Sequence, residues 1–103
     1  MRSFSDLKPQ PLWSYFSDIL KIPRPSKDEG KIIAWLLDFA ARQGLAARKD
    51  EAGNVLIAKP AFPGKEKVPV VVLQTHLDMV CEKNSDKVFD FTTDPIEIGR
   101  AHV

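Results

Sequence analysis

Residues 68–75, Val68-Pro69-Val70-Val71-Val72-Leu73-Gln74-Thr75 (VPVVVLQT), carry the strongest fold signal in the chain. Successive side chains of a strand point to opposite faces, and this run is apolar on both. A strand of that kind is expected to lie buried between two layers of helices, as in an α/β sheet. Pro69 cannot donate to a ladder, so the strand should begin at a sheet entrance or a bulge. The run closes on His76-Leu77-Asp78. The carboxyl end of a central strand is where open α/β sheets keep their ligand sites.

The segments before this strand read as two helices and a hairpin. Leu12, Trp13, Phe16, Ile19 and Leu20 recur at helical spacing between Pro9/Pro11 and Pro23/Pro25, which predicts an amphipathic helix of about three turns. Ser26-Lys27-Asp28-Glu29 fits a capping box, with the serine oxygen accepting from the backbone three residues on and Glu29 reaching back. A second helix should therefore begin at Lys27. Its apolar stripe is Ile32, Ile33, Leu36, Leu37 and Ala40, widened by Trp35 and Phe39, and Gly44 is the expected C-terminal stop. Both tryptophans are expected to anchor the core. Leu45 to Lys49 and Asn54 to Lys59 then read as strands, joined by Asp50-Glu51-Ala52-Gly53-Asn54, where Gly-Asn supplies positive φ. Residues 60–67 form a polar, proline-rich loop. From Cys81 to Pro95 the chain turns polar again, with Phe89 and Phe91 two residues apart.

Size and charge narrow the function classes. With 103 residues, one domain is expected. A net charge of +1, from 15 basic and 14 acidic residues, makes no field that would draw nucleic acid or an anionic membrane. No apolar run approaches the roughly 18 residues of a membrane-spanning helix, and the N-terminus lacks an apolar signal core. A cytoplasmic protein is the expectation. The single cysteine, Cys81, has no partner for a disulfide or a CxxC zinc site, and reads as an ordinary thiol.

His76 and Asp78 are the candidate site. In an extended segment they share a side, so an imidazole can take a metal while the carboxylate receives its other N–H and fixes the tautomer. The HxD spacing alone is a weak signal. A catalytic metal needs three or four ligands, and Glu82, Asp86, Asp90 and Asp94 show no ligand-like spacing. They read as solvated charges. The chain has no GxSxG, Walker, GxGxxG or HExxH motif.

Longer stretches carry more. LWSYFSDILKIPRPSKDEGKI, RKDEAGNVLIAKPA and VPVVVLQTHLDMVCEKNSDKVFDFTTDPIEI resemble the N-terminal part of the aminoacyl-histidine dipeptidases, or cytosolic non-specific dipeptidases, of the zinc aminoacylase and carboxypeptidase superfamily. The resemblance runs from about Leu12 to Glu97. It implies the opening of a three-layer α/β domain with a mixed sheet, two helices followed by three strands. It also implies that His76 is a zinc ligand and that Asp78 is the catalytic-site aspartate orienting it and tuning a metal pair. In these enzymes a carboxylate-bridged zinc pair holds a water, a glutamate acts as general base, and the substrates are dipeptides, including those ending in histidine. The resemblance further allows a homodimer for the full-length protein.

The family chain is several times longer, and the bridging aspartate, general-base glutamate, remaining zinc ligands and lid domain have no counterpart here. This polypeptide alone is therefore expected to be inactive. Residues 1–97 are expected to be the N-terminal part of a metallopeptidase catalytic domain. Ile98-Gly99-Arg100-Ala101-His102-Val103 fits nothing before it and can be encoded by ATC GGA AGA GCA CAC GTC, a library-adapter sequence read in frame. The expectation is a non-native, adapter-derived tail, in which His102 is no ligand. Two alternatives stand beside the dipeptidase fragment. One is a small binding or regulatory module on the same scaffold, docking through its sheet edge, and the other is an unrelated α/β domain with a merely hydrogen-bonded His76.

Overall fold

The computed structural model describes residues 4–98. Its elements run α1 (Gln10–Leu20), α2 (Gly30–Arg42), β1 (Ala46–Lys49) and β2 (Val55–Ala58), an α/β order. The chain divides into two compact units. One takes in the chain up to Ile32 and again from Asp78 onward, and the other is Ile33–Leu77.

In the first unit, α1 forms where the apolar periodicity lies between prolines. Pro9 stands at its N-cap, and Pro11 occupies a first-turn position, where a missing N–H is harmless. Trp13 stacks on Phe4 with ring centroids 5.5 Å apart, and Phe16 meets both rings edge-on at 5.5 and 5.7 Å. Trp13 is thus a half-buried member of an aromatic cluster, while Leu20 and Ile32 are the buried residues among those described in this unit. The Leu20 carbonyl accepts from the Ile96 N–H at 2.8 Å, and the Thr92 carbonyl accepts from Lys31 Nζ at 2.9 Å. These bonds fix residues 92–96 against the helical segments.

The second helix starts later than its capping pattern predicts. α2 opens at Gly30, not Lys27, because Lys27 adopts a φ of +70°. The Asp28 N–H closes a turn onto the Pro25 carbonyl at 2.9 Å, and positive φ at the third residue is what a type II turn requires. Neither bond of the box forms: Glu29 Oε1 accepts from the Lys27 N–H at 2.8 Å, one residue past the expected donor, and the Ser26 N–H donates to the Met79 carbonyl. Ser26 takes a different partner, described below.

In the second unit, the end of α2 follows expectation. Leu45 N–H donates to the Ala40 carbonyl at 2.8 Å and Gly44 N–H to the Ala41 carbonyl at 3.0 Å, with Gly44 at φ +71°. This is the Schellman pair of bonds, and it needs a left-handed residue at Gly44. Ala40 is fully buried, and Trp35, half-buried, stacks on Phe39 with centroids 5.3 Å apart.

β1 and β2 pair antiparallel in the register Ala46↔Ala58, Ala47↔Ile57, Arg48↔Leu56 and Lys49↔Val55. Ala47, Val55 and Ile57 are half-buried while Leu56 is exposed, the alternation of a one-sided sheet. Asp50 organises the turn: its carboxylate accepts from the Asn54 backbone at 2.8 Å and from the Asn54 amide at 2.9 Å. Gly53 supplies the positive φ, at +92°.

The expected third strand does not form. Residues 68–75 belong to no ladder, and Val70, Val71, Val72 and Leu73 are 89, 81, 77 and 93% exposed. A strand is stable only with hydrogen-bonded neighbours, and among the described residues none flanks this one. Its two-sided apolar pattern is suited to a sheet interior that the described residues do not build.

Candidate functional site

His76 and Asp78 follow directly on the exposed apolar run. His76 is exposed and lies in the unit ending at Leu77, whereas Asp78 is half-buried and begins the return of the other unit. Asp78 is held from an unexpected direction. Ser26 Oγ donates to Asp78 Oδ2 at 2.6 Å, the short distance of a hydroxyl on a carboxylate, and lies 3.4 Å from the Met79 carbonyl. The backbone is paired at the same point. Met79 N–H donates to the Arg24 carbonyl at 2.9 Å, Ser26 N–H donates to the Met79 carbonyl at 3.2 Å, and Pro25 and Met79 form a parallel bridge.

This junction joins two motifs far apart in the sequence, IPRPS and LDMV. A signal for it exists, since each residue preceding Pro23 and Pro25 is pushed toward extended backbone, which can pair. The capping-box pattern masked it, because serine satisfies either role with the same hydroxyl.

Among the described residues, no group of three or more His, Cys, Asp or Glu side chains could hold a metal ion. Glu82 and Asp86 are exposed. Asp90, exposed as expected of a solvated charge, and Asp94 close their own loop. Asp90 Oδ1 accepts from the Thr92 hydroxyl at 2.6 Å and the Thr92 N–H at 2.9 Å, and Asp94 Oδ2 accepts from the Asp90 N–H at 2.7 Å. The Thr92 side-chain bond, with smaller help from its backbone, holds the Asp90 carboxyl below the usual range. Phe89 and Phe91 pack edge to face at 5.2 Å over this loop.

Hollows open among the described residues of the first unit. One, of about 30 Å³, lies among Pro23, Pro25, Met79, Cys81, Phe89 and Phe91. It is the size of one water and excludes a dipeptide. Another is an open depression of about 620 Å³ along α1, beside Gln10, Trp13, Ser17 and Lys21, and it contains neither His76 nor Asp78. Cys81 is an exposed free thiol. No helix among the described residues is long and apolar enough to cross a membrane. His102 and the rest of the last five residues lie outside the described part of the chain.

No protein-family model matches the chain. It is 47% identical over 97 residues to the cytosol non-specific dipeptidase of Escherichia coli strain K12, a match covering 94% of this chain and 20% of that protein. The crystal structure of aminoacylhistidine dipeptidase from Vibrio alginolyticus superposes with a TM-score of 0.86 at 48% identity, over 93% of this chain and 20% of that one. The resemblance to dipeptidases therefore extends through nearly the whole chain and includes its α/β backbone. The chain spans about one fifth of the length of each relative.

Proposed function

We propose that this chain is the N-terminal piece of the catalytic domain of a cytoplasmic, zinc-dependent dipeptidase acting on dipeptides that include Xaa-His. In this reading His76 is one metal ligand, and Asp78 is the carboxylate that orients it and tunes the metal pair. The observation that carries the reading is the near-half identity to two dipeptidases over 93–94% of the chain.

The residues present do not amount to the metal site of such an enzyme. One imidazole and one neighbouring carboxylate fall short of the three protein ligands of a catalytic zinc, and no further donors assemble among the described residues. A metal held by one histidine has little affinity, because binding depends on several preorganised ligands. Among the described residues no set of donors would hold a metal to activate water, and we propose that the chain alone does not turn over substrate. The exposed row Val70 to Leu73 supports a second reading, a small module that docks through this segment as an added strand.

Incubating the purified chain with zinc and a panel of dipeptides, some ending in histidine, separates these statements. No amino-acid release above that of His76→Ala is expected. Turnover abolished by His76→Ala would show that the chain suffices for catalysis and overturn the assignment of inactivity.

A further inference from the structure

Ser26-Lys27-Asp28-Glu29 has the spacing of a helix cap, yet its serine does not cap α2. Ser26 Oγ instead reaches Asp78 Oδ2 at 2.6 Å, across 52 positions of sequence. The pairing is built into the backbone. The bonds from Met79 N–H to Arg24 and from Ser26 N–H to Met79 bracket the two side chains, so hydroxyl and carboxylate face each other by construction. Lys27 follows at once with φ +70°. That conformation costs a side-chain-bearing residue about 1–2 kcal/mol, and glycine or asparagine ordinarily takes it. The reversal turns the chain away directly after Ser26 and delays α2 to Gly30, which keeps the serine out of the first helical turn. Local strain of this sort persists where surrounding structure imposes it, and it clusters at functional positions.

We propose that Ser26 is a positioning residue for Asp78, its hydroxyl holding the carboxylate in one rotamer. The functional meaning of the proposal rests on the dipeptidase reading, in which Asp78 orients the metal-ligating imidazole. A carboxylate serving a metal ligand can fix that ligand only when its own direction is fixed by a further hydrogen bond. A short hydroxyl-to-carboxylate bond anchored at both ends by backbone pairing meets that need. An N-cap serine would satisfy only its own helix.

The test is an NMR measurement on the full chain. Three-bond couplings from the Asp78 backbone to its Cγ report χ1, in solution or by magic-angle spinning, which requires no free tumbling. The native chain should show one rotamer. Ser26→Ala should average the couplings while the amide signals of Arg24 and Met79 stay in place, and Ser26→Thr, which keeps the donor, should restore the single rotamer. The proposal is overturned if Asp78 keeps one rotamer in Ser26→Ala or if Ser26→Thr averages as the alanine variant does. It is equally overturned if the flanking amides move with the side chain, since the serine would then tie the loop and not the carboxylate. The readout involves neither metal nor turnover, so failure here leaves the dipeptidase reading intact, and failure of that reading leaves the rotamer result standing.

Discussion

Replacing Val71 and Leu73 together by lysine should convert this chain from a self-associating species to a monomer. The four residues Val70 to Leu73 are between 77 and 93% exposed. Fully burying a valine or leucine side chain contributes about 1.5–3 kcal/mol, so the row offers about 6–12 kcal/mol per chain. Two chains covering each other's row contribute about twice that, against an association cost of about 4–15 kcal/mol. Self-association at micromolar concentration follows, helped by the unpaired backbone donors and acceptors of the same segment. Val71 and Leu73 occupy alternate positions, hence one face of an extended segment, and lysine at both removes about half of the apolar gain. The loss is about 6–12 kcal/mol per pair of chains, and at about 1.4 kcal/mol per tenfold the dissociation constant should rise by at least about 10,000-fold. Sedimentation equilibrium over a series of micromolar concentrations reads this directly. A native chain that sediments as a monomer and unfolds cooperatively would refute the reasoning, as would a double variant that associates as strongly as the native chain.

Two further outcomes follow from backbone conformation and charge. A Cβ added at Gly30 or at Gly44 meets no atom within 4 Å, so the sign of each change is set by φ alone. Gly44→Ala, at φ +71°, should lower stability by about 1 kcal/mol, whereas Gly30→Ala should raise it by about 0.4–1 kcal/mol. Urea midpoints that move in the same direction for both would contradict this. Hydrogen bonds from the Asn54 side chain, and then its backbone, hold the Asp50 carboxyl below the usual carboxylate range. A folded pKa below the unfolded value of about 3.9 means that this contribution is complete above that value. It is lost as pH falls through the folded pKa. The Asn54 amide signal should therefore move only under acid conditions, and an Asp50 carboxyl titrating at or above its unfolded value would speak against the turn as described.

Local signals were legible and non-local ones were not. The helical stripes, Gly44 at the end of α2 and the Asp50–Asn54 turn each depend on residues within about one turn of one another, where periodicity and φ preference suffice. The run 68–75 has the pattern of a strand suited to burial on both faces, yet it joins no ladder and is exposed. Its pairing, however, depends on neighbours that no local pattern in these residues supplies. Ser26 illustrates a different gap. A hydroxyl three residues before a glutamate fits a capping box, yet the decisive partner, Asp78, is 52 positions away, and only the extended bias imposed by Pro23 and Pro25 hints at it. The candidate site was legible as a dyad and a resemblance, while the serine donating to one Asp78 carboxylate oxygen emerged only from the fold.

The central claim is that this segment supplies His76 and Asp78 to a dipeptidase whose remaining site lies in other residues. Complementation in trans tests it most directly. The Escherichia coli dipeptidase is expressed without the 97 residues that match this chain, alone or together with it, and hydrolysis of a dipeptide ending in histidine is measured. The account predicts no activity from either piece alone, recovery when they are combined, and no recovery with His76→Ala. Recovery that is undiminished by His76→Ala, or a stable complex of the two pieces without activity, would contradict it.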